Sequence, residues 1–282
     1  MMRRAAVCGW AVWAVGCGGG GGDTVDGSVL DTGATSATGT VDLGPGPYGV
    51  AYAGSDIGVD LREASSVTLD GIAMTGYVAS AQEAPLVGTN SVVDLGGSGA
   101  LVWGRWSGGT MAGEYYGAPP FTWAADGGLH YVAGAPVAAP PASGPTVWQP
   151  VASTQVTRSD GSIAPGTVTG SLGVAFAGPD TRVGVSLTLD LPGDGTYTVE
   201  TTGGSADPSQ SEVRMQSGGL FRDLGGLQTT GGAACGAYGC FVAIAGLIAG
   251  ESADQVGLVV HLYAGSGGAP ETVSAALVFA GE

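Results

Sequence analysis

The sequence contains no lysine, and this absence excludes several mechanisms. A P-loop needs a lysine on its phosphates, and a Schiff-base enzyme needs a lysine amine. All eight basic residues are arginines, they form no extended basic tract, and 24 acidic residues outnumber them. The formal net charge of −16 therefore argues against a nucleic-acid partner, which requires a basic surface, and against a basic patch for anionic lipids.

Groups that commonly carry out catalysis are also scarce. His130 and His261 are the two histidines of the chain, and each lies inside a strand-like run. Neither a Gly-x-Ser-x-Gly elbow nor a His-Glu-x-x-His zinc motif occurs. A pair of carboxylates for glycoside hydrolysis stays open, because 24 acidic residues single out no particular pair. We predict that the protein is not an enzyme and uses no cofactor and no metal.

The N-terminus has the three zones of an export signal. Arg3 and Arg4 are followed by an apolar run over residues 5–15, which is too short for a membrane-spanning helix of about 20 residues. The run ends in "AVGC", which resembles a bacterial lipobox whose cysteine, here Cys17, is lipidated. We predict a lipoprotein signal peptide at residues 1–16; an ordinary signal peptide or a buried helix is the alternative.

Residues 17–45 form a segment rich in Gly, Ser, Thr and Asp. Such a composition cannot build a hydrophobic core, so it predicts a flexible acidic tether that holds a folded domain away from a membrane. Asp23, Asp26 and Asp31 raise the alternative of a calcium site, but no complete calcium-binding loop surrounds them.

Four cysteines are present, and their positions suggest different fates. Cys8 is removed with the predicted signal peptide, and Cys17 is the predicted lipidation site. Cys235 and Cys240 remain in "CGAYGC", where we predict a disulfide, because a lone close pair in an exported protein usually forms one. A metal site would need two further ligands, and a redox pair usually has two-residue spacing.

From residue 46 onward the sequence alternates in the manner of β-strands. In "RVGVSLTLD", Val183, Val185 and Leu187 fall on one face and polar residues on the other. The runs "VGLVVHLYAG" and "TVSAALVFAG" are apolar on both faces, which indicates buried or barrel-closing strands. We predict an all-β fold, in which an antiparallel meander at 149–282 closes into a roughly eight-stranded barrel, preceded by a smaller β section at 46–148.

Several segments resemble known exported proteins. "WGRWSGGT", "GGLHYVAGAP", "SDGSIAPGT" and "GSLGVAF" resemble the C-terminal β region of bacterial FecR-type exported proteins. "GLIAGESADQVGLVVHL" resembles the barrel signature of transferrin-binding protein B and its relatives, and Gly246, Gly250, Ala253 and Gly257 fill its small positions. The resemblance implies a β-barrel on an exported, often surface-anchored lipoprotein; it does not carry over transferrin binding.

The stretch "LVWGRW" raises the question of a binding surface. On a strand, Trp103 and Arg105 share one face and Trp106 lies on the other, so Arg105 is expected to stack on Trp103 or to pair with a carboxylate. Aromatic and arginine side chains are enriched at interfaces, and Tyr115 and Tyr116 extend the candidate surface. The interpretation we favour is that these residues fill the sheet interior.

These observations lead to two functional hypotheses. The first is an outer-membrane lipoprotein, on the cell surface, whose β-barrel binds an unidentified macromolecular or small ligand, with an extracellular protein as the expected partner. The second is a periplasm-facing structural or sensory envelope protein without a dedicated ligand. Loops on a rigid scaffold commonly carry recognition, and this favours the first.

Overall fold

The structure is a computed structural model that describes residues 41–54, 58–79, 82–85, 87–112, 121–143, 147–235, 239–264 and 271–281. Within these residues the chain forms twenty β-strands and three short 3-10 turns. In chain order the strands are β1 Tyr48–Gly54, β2 Gly58–Ala64, β3 Ser66–Asp70, β4 Ala73–Ala79, β5 Gln82–Pro85, β6 Val87–Gly88, β7 Ser91–Ser98, β8 Leu101–Ser107, β9 Gly109–Ala112, β10 Phe121–Trp123, β11 Leu129–Gly134, β12 Val147–Ser153, β13 Thr157–Arg158, β14 Thr167–Ala175, β15 Arg182–Leu191, β16 Gly195–Glu200, β17 Leu220–Thr230, β18 Cys240–Ala249, β19 Gln255–Ala264 and β20 Thr272–Ala280. The 3-10 turns are Gly178–Asp180, Pro208–Gln210 and Ser217–Gly219. Across the described part of the chain, no helix has the length and apolarity to span a membrane.

The second half of the chain forms an antiparallel barrel. The order β12-β14-β15-β16-β17-β18-β19-β20 is closed into a ring because β12 pairs with both β14 and β20. Alternate side chains of these strands point inward and form one buried apolar cluster, which includes Leu172, Val185, Phe221 and Leu258. The sequence prediction of an all-β fold with a meander closing into a barrel of about eight strands is confirmed.

The first half forms one five-stranded sheet and two small sheets. The five-stranded sheet has the order β2-β1-β11-β8-β7, and the small sheets have the orders β3-β4-β5 and β10-β9-β6. One face of the five-stranded sheet packs on Met74 and Tyr77 of β4, which gives a second apolar cluster. The described sheets of the two halves are joined by residues 135–143; the predicted boundaries between tether, β section and barrel stay predictions.

The other face of the five-stranded sheet covers the outer wall of the barrel. Ala51, Trp103 and Val132 of the sheet join Leu247 and Val259 of the barrel in a third apolar cluster. This contact explains why β18 to β20 are apolar on both faces. One face lines the barrel and the other lies under the sheet, so both leave water.

Two glycines allow the sheet and the barrel to approach closely. A Cβ at Gly257 of β19 would lie 3.1 Å from Val132 of β11, and a Cβ at Gly49 of β1 would lie 2.7 Å from Leu220 of β17. A larger residue at either place would push the two layers apart.

The two ends of the molecule differ, and we name them by their contents. The entry end is where the described chain begins at residue 41, beside the linker at 135–139 and the turn at Gly250. The disulfide end carries Cys235 and Cys240, together with the ends of β19 and β20 that hold Tyr263 and Thr272.

We predict that the sheet–barrel contact is a major source of stability. Leu247→Ala removes a fully buried side chain from the contact and should lower the free energy of unfolding by about 2–5 kcal/mol. The control is Leu224→Ala, the same substitution on the same barrel wall at a side chain that is 55% exposed. This variant should change the free energy of unfolding by less than about 1 kcal/mol. Urea unfolding monitored by circular dichroism gives both values. Equal losses in the two variants would contradict the prediction.

Candidate functional site

The residues of "LVWGRW" lie in β8, whose two faces are both covered. Trp103 faces the barrel, where its ring lies over Gly96 of β7, and Trp106 faces the small sheet. Both indoles are buried, and Arg105 is only 4% exposed. These three residues therefore form no exposed surface. The weak binding assignment for them is corrected by their burial, and the interior interpretation is the one the structure supports.

Trp106 helps to fix the small sheet on the large one. Its Nε1 donates to the Met74 carbonyl at 3.0 Å, and its ring stacks on Tyr131 with 4.3 Å between centroids. The Tyr131 hydroxyl accepts a bond from the Met74 amide at 3.1 Å. Burial raises the pKa of Tyr131, so the phenol stays neutral.

Arg105 forms a buried ion pair rather than a cation–π stack. Its Nε donates to Asp94 Oδ2 at 2.8 Å, and its Nη1 donates to the Gly127 carbonyl at 2.7 Å. Asp94 lies in a bulge of β7 with φ of 50°, and this left-handed backbone turns its carboxylate inward. Asp94 also accepts from the Gln155 amide at 3.3 Å, which ties the sheet to the barrel segment before β13.

Both histidines lie in the same interface, next to this ion pair. His130 is the cross-strand partner of Arg105, and its ring nitrogens contact the hydroxyls of Thr154, at 2.8 Å, and Thr157, at 2.7 Å. His261, on the barrel wall, has Nδ1 2.8 Å from the Ser274 hydroxyl, and Ser274 is the cross-strand partner of Thr157. The cluster is polar but closed, since all the hydroxyls and both imidazoles are buried.

The environment keeps both imidazoles neutral. The pKa of His130 lies well below its usual value, mainly because the ring is buried. Electrostatic repulsion by Arg105 and His261 lowers it further. Burial lowers the pKa of His261 to about 4. Buried, neutral and bonded to hydroxyls, neither histidine is presented to a substrate.

An exposed apolar patch lies elsewhere, on the outer barrel wall near the disulfide end. Phe241 of β18 is 39% exposed, and its ring stacks on Tyr263 of β19 with 5.7 Å between centroids. Leu224 of β17 lies beside them, opposite Ala243. We call Leu224, Phe241 and Tyr263 the wall patch. Sequence reasoning missed it, because "CFVAIAGLIAG" is apolar throughout and does not reveal which residue reaches water.

An acidic cluster lies at the disulfide end, and one of its carboxylates, Glu271, lies next to the wall patch. Arg158 bonds to Asp160 at 2.8 Å, to Asp194 at 3.1 Å and to Glu271 at 3.3 Å, so three carboxylates surround one guanidinium. Hydrogen bonds from Arg158 lower the pKa of Asp160. Glu271 directly precedes Thr272, the cross-strand partner of Tyr263, and its side chain is 47% exposed. The disulfide end is therefore apolar on the wall and acidic beside it.

The predicted disulfide is present in the structure, and the signature positions have structural roles. Cys235 and Cys240 are joined. Gly246 leaves room for the Phe221 ring, Gly250 has φ of 86° in the β18–β19 turn, and the buried Ala253 has φ of 53°. Gly257 admits Val132, as described above. These four positions shape the barrel and its contact with the sheet.

Some candidate residues lie outside the described chain. Cys17, Tyr115 and Tyr116 are among them, so lipidation and a contribution of these tyrosines to recognition stay predictions.

At the entry end, a groove of about 550 Å³ is lined by residues 42–45, 135–139, Gly250 and Glu251. Within the described residues, no three His, Cys, Asp or Glu side chains cluster in a way that could hold a metal ion.

Comparisons with known proteins give structural likenesses at a low level. No family model matches the sequence, and no curated protein matches it. Intact Ap-TbpB, with N and C lobes, aligns with 83% of this chain and 45% of its own at 14% identity and a TM-score of 0.37. Transferrin-binding protein B from Haemophilus parasuis, a vaccine antigen crystallised as a tryptophan-to-alanine mutant, aligns over the same shares at 12% identity and 0.39. The isotype 1 protein from serogroup B Neisseria meningitidis aligns over 83% and 43% at 9% identity and 0.40.

The chain spans less than half the length of these three structures. At such identities and TM-scores the likeness carries no argument about ligands, and the fold assignment rests on the strand pairings. The resemblance to FecR-type exported proteins receives no support from these matches.

We predict that the Arg105–Asp94 pair is strongly coupled. Arg105→Met leaves the Asp94 carboxylate buried without its partner and should cost about 3–5 kcal/mol of folding free energy. Adding Asp94→Asn should recover part of that loss, since the uncompensated charge is then gone and Asn tolerates a left-handed backbone. The control is Arg214→Met, which breaks an exposed pair with Asp180 and should cost at most about 1 kcal/mol. A double variant less stable than Arg105→Met would contradict the prediction.

Proposed function

We propose that the protein is an outer-membrane lipoprotein of the cell surface that binds a protein partner through the disulfide end of its barrel. In this proposal residues 1–16 are removed, Cys17 carries lipid, residues 17–45 are a tether, 46–148 form the β section and 149–282 the barrel. The role is binding rather than catalysis. The proposal is supported by the burial of both histidines among hydroxyls, which leaves neither accessible as a general base.

The wall patch is the observation that carries the proposal. Leu224 and Phe241 expose apolar surface on a rigid sheet, and Phe241 and Tyr263 stack into one aromatic surface. Aromatic side chains on a rigid support are common anchors of protein interfaces. The patch is near the disulfide end, whereas the described chain begins at the entry end, so a tether that enters there leaves the patch accessible.

The charge of the chain indicates the chemistry of the partner. The protein carries a net charge of −16, and Glu271, whose side chain is 47% exposed, lies beside the wall patch. A partner that presents an apolar anchor surrounded by Lys or Arg would complement both features. Such an association is expected to weaken as salt is raised.

The second candidate is a periplasm-facing structural or sensory protein without a dedicated ligand. The burial of Trp103, Arg105 and Trp106 favours it, because the aromatic–arginine surface expected from the sequence is occupied by packing inside the protein. The two candidates differ in accessibility from outside the cell and in whether the wall patch binds anything.

We predict that Phe241→Asp abolishes salt-sensitive capture of extracellular proteins by the purified protein, with no loss of folding, since Phe241 is 39% exposed. Val151→Asp is the control, because Val151 is 51% exposed on another strand of the same barrel. Captured proteins are compared by quantitative mass spectrometry at 50 and 500 mM salt. A protein that Val151→Asp captures and Phe241→Asp does not would support the proposal. If the wild type and both variants capture the same set of proteins, binding through the patch is contradicted.

Location is tested separately by protease treatment of intact and lysed cells. Digestion of the barrel in intact cells is expected, together with loss of membrane association in Cys17→Ser. Protection in intact cells with digestion after lysis would favour the periplasmic candidate.

A further inference from the structure

The sheet and the barrel are held together by different chemistry at the two ends of their contact. Toward the entry end, Leu101 of the sheet and Leu220 and Leu247 of the barrel are buried together. Toward the disulfide end, the contact also contains polar groups, with His130, Arg105 and Asp94 of the sheet against Thr154, Thr157 and His261. Apolar contact is insensitive to pH, whereas contact through imidazoles is not.

We propose that this contact is an acid-sensitive hinge, in which the sheet stays attached at the entry end and lifts from the barrel at the disulfide end when the histidines become protonated. The opening is a property of the chain alone and requires no partner, so it stands or falls independently of the proposed function. It would, however, alter the surface next to the wall patch, because Ala53 and Val59 of the sheet end near the same part of the barrel wall.

The ring nitrogens of His130 contact only neutral hydroxyls, so no group bonded to the ring would compensate a positive charge on it. The Thr154 hydroxyl accepts the Ala276 amide at 2.9 Å, and the Thr157 hydroxyl lies at the other ring nitrogen. With Nδ1 donating to Thr154, Nε2 accepts from Thr157. A second proton on the ring would force the Thr157 hydroxyl to turn from donor to acceptor, and it would place a buried positive charge beside Arg105, the cross-strand neighbour of His130. Both changes disfavour the closed arrangement.

Among the residues that the structure describes, no carboxylate is bonded to either imidazole. Asp94 is already bonded to Arg105 and to the Gln155 amide. From β20 the neighbours are Ser274 and Ala276. The other described charged or titratable groups on these elements have partners of their own or reach solvent: Asp60 with Arg222, Arg158 with Asp160, Asp194 and Glu271, Tyr131 with Met74, Tyr263 with Phe241 and with the His261 ring, and Asp126 exposed.

The sign of the pH effect follows from the lowered pKa values of both histidines in the closed state. In an open state the rings meet water and recover a pKa near 6.5. Closure is therefore independent of pH above about 6.5 and weakens as the pH falls below it, down to the pKa of about 4 for His261. For each histidine that is exposed, the opening constant rises about tenfold per pH unit in this window.

The test is hydrogen–deuterium exchange of the purified full-length protein at pH 7.5 and 5.0, with rates corrected for intrinsic exchange. This range lies above the ordinary pKa of Asp and Glu, so their titration contributes little. The Gln155 amide, which donates to Asp94 across the contact, reports the hinge, and a peptide spanning 183–189 reports the barrel interior. We expect hinge opening to rise about 30-fold for one histidine, and further if both become exposed, with the interior peptide unchanged.

Variants separate the histidines from the rest of the contact. His130→Gln and His261→Gln keep a donor and an acceptor but do not titrate, so the double variant should show no dependence on pH in this range. Val132→Ala weakens the same contact without changing a titratable group, so it should raise opening equally at both pH values. If His130→Gln fails to fold, His261→Gln alone should still reduce the pH ratio by the share of one histidine.

Three results would overturn the proposal. The first is an unchanged opening of the wild-type protein between the two pH values. The second is a pH response that persists in the folded double variant. The third is a parallel increase of exchange in the 183–189 peptide, which would show that acid unfolds the whole chain rather than opening the hinge.

Discussion

The outer wall of β18, β19 and β20 has to be kept from water, and the rest of the structure is arranged around this requirement. Leu247, Val259 and Val278 point away from the barrel interior and would be exposed if the barrel stood alone. The five-stranded sheet covers them with Ala51, Trp103 and Val132. Because burial of apolar surface is the main source of stability, the sheet and the barrel depend on each other for folding.

This requirement also explains the fate of the "LVWGRW" stretch. The five-stranded sheet lies between the barrel and the small sheet β3-β4-β5, so both faces of β8 are buried and both tryptophans enter a core. Arg105 is then the one charged side chain of β8, and the bulge at Asp94 supplies its partner. A buried pair of this kind does little for net stability. It joins β7 to β8 at the bulge, and Asp94 also accepts the Gln155 amide from the barrel half.

Period-2 alternation was enough to predict the all-β class and the strands of the barrel, because inward residues such as Val183, Val185 and Leu187 alternate with polar ones. It also identified β19 and β20 as covered on both sides. The partner of Arg105 could not be predicted, since a bulge shifts the strand register and 24 acidic residues were available. The wall patch could not be predicted either, because exposure of Phe241 depends on where the covering sheet ends, and that is set by tertiary packing.

The end of the sheet is where structure and proposed function meet. Toward the entry end the contact is apolar; toward the disulfide end it becomes polar, and just beyond it the barrel wall is uncovered and carries Phe241 and Leu224. A contact that was apolar along its whole length would hold the sheet rigidly and give no response to the surroundings. Placing both histidines of the chain at the polar end confines any response to the region beside the exposed patch. In the proposed hinge, the part of the contact that opens lies beside the surface that we propose meets a partner, and the buried apolar cluster of the barrel interior lies away from it.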